Sequence, residues 1–163
     1  MAASPTPAER ACAVFVPRTI LGLVYLFAGI HKLADPGALE YGRGMALLPD
    51  AVRFVPGAVV MMVGALTPFL EIVLGALVLV GFWTRPALRV LAVLVVLVAM
   101  AYGVHALYHP MGATAMNITI VNTFILPRAA LVAITLYLPA ADDLWSVDGL
   151  LDGRTRRWLA GSS

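Results

Sequence analysis

Two groups of residues in this sequence have types and spacings that could do chemistry. The first is a pair of lone charges in apolar runs: Glu71 in "GALTPFLEIVLGALVLVG" and Arg128 in "NTFILPRAALVAI". An ionised side chain at the centre of a membrane helix costs about 3 kcal/mol on insertion scales, so it needs a partner, a proton or a function. Counting from the ends of their runs puts Glu71 and Arg128 at similar depth, and the spacing predicts a Glu71–Arg128 pair at the midplane. Pro68 and Pro127 stand just before its two members. A proline inside a helix frees a carbonyl four residues upstream, which would open a small polar pocket beside each charge. Such a pair can simply lock two helices together, since breaking one partner costs more than the pair contributes. It can equally line a functional pocket.

The second group is histidine. His105 and His109 in "GVHALYHP" are spaced i,i+4 and share one helix face. His31 is expected to join them at the same membrane face, with Tyr102, Tyr108, Met111 and Met116 nearby. Neutral imidazoles at that spacing can ligate zinc or copper, and the added methionines favour copper. They can also exchange protons near neutral pH or meet a quinone headgroup. Alternatively they mark only the water boundary of a helix end, since no HExxH-type motif accompanies them. Lys32, beside His31, and Arg18 lie 14 positions apart, about 21 Å along a helix. Both are expected to snorkel from the ends of one apolar span.

The elements that position these residues follow from composition. Of 163 residues, 61% are hydrophobic and 12% charged, against roughly 25% charged in soluble domains. This is the composition of a membrane protein. Four apolar runs, about 11–33, 55–83, 88–108 and 118–138, each reach the roughly 20 residues that cross a hydrocarbon core. They lack barrel-type alternation, so the fold class is all-α: a four-transmembrane-helix bundle forming a single membrane domain. The first loop is long enough for a short interfacial helix, and residues 140–163 form a charged, amphipathic tail. The start of the chain does not read as a removable signal peptide. Cys12 is the single cysteine, and the net charge of +2 makes no case for nucleic acid.

Placing both termini and the second loop on one side collects Arg10, Arg18, Arg85, Arg89, Arg154, Arg156 and Arg157, against Lys32, Arg43 and Arg53 opposite. By the positive-inside rule both termini are cytoplasmic, in a bacterial-type inner membrane. Trp83, Trp145 and Trp158 fall on that same side, as an interfacial belt would.

Three segments in order resemble the DoxX/DoxD-like family of small four-helix membrane proteins. They are "RTILGLVYLFAGIHKLADP" from Arg18, "FLEIVLGALVLVGFWTRPA" from Phe69 and "LWSVDGLL" from Leu144. The positions that match are Arg18, Gly22, Gly29, Lys32, Glu71, Gly75, Gly81, Arg85, Ser146 and Asp148; the histidines lie outside the pattern. The resemblance implies membrane redox chemistry, as in quinone-reducing thiosulfate oxidoreductase subunits and accessory subunits of oxidoreductase complexes.

The chain has no CxxC, no CxxCH and no glycine-rich nucleotide loop. Electrons, if handled, must come from a partner. The expectation is therefore an accessory or quinone-interacting subunit of a respiratory-type membrane complex, in contact with lipid and other membrane subunits. A small-solute or ion conduit acting as an oligomer, and a purely structural packing subunit, remain as alternatives.

Overall fold

A computed structural model describes residues 4–46, 55–108 and 124–153. Every regular element among them is helical. Helix α1 spans Pro7–Ala34, α2 Ala38–Ala46, α3 Gly57–Val80, α4 Thr84–Tyr108 and α5 Leu126–Tyr137, followed by a 3₁₀ turn at Ala140–Asp142 and a short α6 at Val147–Leu151. By length and composition, α1 and α3 are each able to cross a membrane. The short helix expected in the first loop is α2. Of the fourth apolar run, α5 is the part that falls within the described residues.

Local chemistry sets the boundaries. Thr6 caps α1 in a capping box with Glu9, and Pro7 occupies the first turn, where its missing N–H costs nothing. At the other end of α3, Gly81 takes a left-handed conformation (φ 73°). There the Gly81 and Phe82 amides donate to the Val78 and Leu77 carbonyls, a Schellman closure. Pro127 sits in the first turn of α5, where it starts the helix and breaks none of its hydrogen bonds. Pro68, by contrast, is buried inside α3.

α1 and α3 form the central packed pair, with α2 lying along the N-terminal half of α3. Small residues let the two backbones touch. A Cβ on Gly22 would meet the Leu79 backbone at 2.7 Å, one on Gly29 the Pro68 carbonyl at 2.6 Å, and one on Gly75 the Leu26 amide at 2.6 Å. In a bilayer, where lipid tails are as apolar as leucine, such close approach is what holds helices together. These three contacts also fix the antiparallel register: Gly22 against Leu79, and Gly29 against the turn from Pro68 to Ile72. The apolar core between α1, α3, α4 and α5 is built from Leu21, Tyr25, Leu74, Val78, Leu88, Leu91 and Val132.

Candidate functional site

The register decides which charge meets Glu71. Lys32 lies one turn beyond Gly29, so it arrives beside the turn that carries Glu71. Its Nζ stands 2.6 and 2.7 Å from the two carboxylate oxygens. Glu71 is 5% exposed. No ion pair joins Glu71 to Arg128 among the described residues, which corrects the pairing expected from depth alone. That expectation assumed span centres align, whereas α1 and α3 are staggered and the C-terminal end of α1 falls beside the interior of α3. Lys32 accordingly turns inward and does not snorkel.

Arg128 nevertheless belongs to the same centre. It lines one chamber of about 30 Å³ with Tyr25, Thr67 and Glu71, walled by Leu94, Val95, Val98 and Ile125. Its guanidinium lies 5.4 Å from the ring of Tyr25 and 5.9 Å from that of Phe124, within cation–π range. On its other side Arg128 borders an open apolar groove of about 500 Å³ between α1 and α5, lined by Leu23, Phe27, His31, Phe124 and Leu131 among others. One arginine thus borders both a half-open chamber that holds Glu71 and an open groove.

Above the ion pair, Tyr41 of α2 presents its ring 4.9 Å from Lys32 Nζ. Burial, and then the charge of Glu71, push the Tyr41 phenol up to about 12, against a smaller opposing effect of Arg128. It stays neutral over the physiological range and covers the pair as an aromatic face.

A second cluster closes the opposite end of the bundle. Arg18 was expected at the water boundary, yet it is 1% exposed. It donates to the carbonyls of Val78, Leu79 and Trp145, each at 2.8 Å, and its Nε lies 3.3 Å from Asp143. Arg85 donates to the Leu136 and Leu138 carbonyls at the end of α5. Asp148 accepts from the amides of Trp83 and Thr84, which open α4. Bare carbonyls at helix C-termini draw cations and bare amides at N-termini draw anions, so these three side chains neutralise three helix ends at once.

His31 is exposed and edges the groove. Tyr102 and His105 lie on α4, and nothing further is described of their side chains. His109, Met111 and Met116 lie outside the described residues, so the outer histidine cluster is not assembled by what is described. Among the described residues no group of three or more His, Cys, Asp or Glu is placed to hold a metal. Sequence reasoning passed over Tyr25, Tyr41 and Asp143. Tyr25 had a signal: it falls in the 18, 22, 25, 29, 32 spacing that runs down the buried face of α1.

Comparison with known proteins gives one family. The model of methylamine utilisation protein MauE matches residues 10–114, which include α1, Lys32, Glu71 and all of α3 and α4. The comparisons with curated proteins and with solved structures give no match. The DoxX-like segments at Arg18 and Phe69 lie inside the matched region, and the one at Leu144 lies beyond it. With a match over well more than half its length, the chain belongs to the methylamine utilisation protein MauE family, a family of membrane proteins.

Proposed function

We propose that this protein is a multi-pass inner-membrane component accessory to an oxidoreductase system, of the kind named by methylamine utilisation. The observation that carries this reading is buried Glu71, paired with half-buried Lys32 and lining one chamber with Arg128. Ionisable residues inside a bundle are expensive and mark functional pathways by default. The family match supports an accessory role, and a sequence without CxxC, CxxCH or a glycine-rich nucleotide loop agrees with a redox step carried by a partner.

In this reading four helices span, with both termini cytoplasmic. The 25 residues of α4 support a third crossing, at about 37 Å of helix, and the apolar run 118–138 supports the fourth. The DoxX-like pattern of Arg18, Gly29, Arg85 and Asp148 belongs to the same proposal, since each of those residues holds a helix end or a helix contact. A quinone suits the groove between α1 and α5: its isoprenoid tail would lie along Phe27 and Leu131, and its carbonyl oxygen would accept from Arg128 or His31.

Purification from mild detergent, followed by identification of co-purifying chains and extracted quinone, tests the proposal. Oxidoreductase chains and near-stoichiometric quinone are expected. A lone, quinone-free chain would overturn it. For topology, a cysteine placed at Gly44 in a Cys12→Ala background should react with an impermeant thiol reagent from outside, and one placed at Ser4 should not.

A further inference from the structure

The charges around the chamber do not balance. Lys32 and Arg128 bring two positive charges and Glu71 one negative, and both Glu71 oxygens are already held by Lys32. Among the described residues Arg128 meets the aromatic faces of Tyr25 and Phe124 and no carboxylate. The sequence contains nine Asp and Glu residues, and none lies between residues 72 and 141. Those of the tail are committed elsewhere, Asp142 to Arg10, Asp143 to Arg18 and Asp148 to the amides opening α4. Glu9 and Glu40 bond within their own helix ends, and Asp35 and Asp152 are exposed at the ends of α1 and α6. Asp50 alone lies outside the described residues.

Hydrogen-bond donors are also in excess. The Tyr25 hydroxyl is buried without a partner, on a residue 2% exposed that lines the chamber. The Thr67 hydroxyl already donates to the Val63 carbonyl. An unpaired buried hydroxyl and an unneutralised guanidinium together call for a guest that accepts hydrogen bonds and carries negative charge. At about 30 Å³ the space has room for one or two water-sized species, which suits a small ion better than tetrahedral phosphate or sulfate. The walls of Leu94, Val95, Val98 and Ile125 favour a weakly hydrated monovalent ion.

We propose that the chamber binds one monovalent anion of halide size between the Arg128 guanidinium and the Tyr25 hydroxyl, bringing the net charge of the buried centre to zero. The site shares Arg128 with the groove, but the two readings have separate tests: loss of chloride binding leaves the co-purification result standing, and the reverse holds too.

Chloride NMR line width of the full chain in detergent tests it, with bromide and sulfate as competitors. The unaltered chain should broaden the chloride line, and bromide but not sulfate should reverse the effect. Arg128→Gln should abolish it, and Tyr25→Phe, which keeps the ring and its packing, should weaken affinity about tenfold. Asp50→Asn should change nothing. The proposal is overturned if no bromide-reversible broadening occurs, if Tyr25→Phe binds as the unaltered chain does, or if Asp50→Asn strengthens chloride binding, which would make Asp50 the missing counter-charge.

Discussion

Lys32 and Glu71 meet because Gly29 lets α1 touch α3. The lysine is one turn past the glycine, and its Nζ reaches both carboxylate oxygens at 2.6 and 2.7 Å.

This pairing predicts strong non-additivity. Glu71→Gln or Lys32→Met alone leaves one charge buried without its partner, at about 3 kcal/mol or more. The double variant Lys32→Met, Glu71→Gln removes both charges together and should be the most stable of the three. Thermal unfolding in detergent across this double-mutant cycle checks the coupling; purely additive losses would show that the two side chains do not depend on each other.

The same helix contact can be tested sterically. Gly29→Ala places a Cβ against the Pro68 carbonyl and the Ile72 side chain, at 2.6 and 2.7 Å. Overpacking of this kind costs about 1–3 kcal/mol. Gly44→Ala, where nothing lies within 4 Å, serves as the control and should unfold with the unaltered protein. Equal melting of the two variants would contradict the close approach of α1 and α3.

At the other end, Arg18→Lys keeps the charge but loses the planar fork that reaches three carbonyls. A loss of about 1.5–3 kcal/mol is expected for each charge-assisted hydrogen bond that the lysine cannot make. Because Trp145 packs edge-on against Phe15 at 5.5 Å, its fluorescence should shift to the red as the tail loosens. An unshifted Trp145 emission would remove Arg18 from the role of anchoring the tail.

Tyr41 gives a pH dependence with a definite sign. Its folded pKa, at about 12, lies above the ordinary 10.0, so the fold favours the neutral phenol. The resulting stability is complete below pH 10 and is lost as pH rises from 10 toward 12. Ultraviolet titration of the phenolate band should show a late tyrosine that Tyr41→Phe removes. If that variant leaves the titration curve unchanged, Tyr41 is not the buried phenol over Lys32.

Much of this arrangement was legible in the chain. Apolar run length gave the helices, and Glu71 was identifiable as a buried charge because nothing near it in sequence could neutralise it. The error over its partner has a physical origin. Hydropathy locates a span to within a few residues, but the vertical offset between two helices is set by where small side chains permit contact, here Gly22, Gly29 and Gly75. Arg18 shows the same limit: its distance from Lys32 suggested a snorkelling pair, whereas the carbonyls it holds come from α3 and from the tail, 60 and 127 positions away. No local pattern reports partners so distant. Tyr25 was recoverable from periodicity, because it shares a helix face with Arg18 and Lys32 of α1.

The turn between α3 and α4 is finished by residues made long after it. Asp148 accepts the first amides of α4 from 64 positions downstream, its own amide donates to the Gly81 carbonyl, and the Ser146 side chain fills the space beside Gly81. During synthesis the hairpin of α3 and α4 therefore forms with bare polar groups at its turn, and only the arrival of the C-terminal segment covers them. That end of the bundle thus carries a mark of completeness: a chain terminated before Asp143 has an open turn that membrane proteases can engage, and pulse-chase of such a truncation should show it degraded faster than the full-length protein.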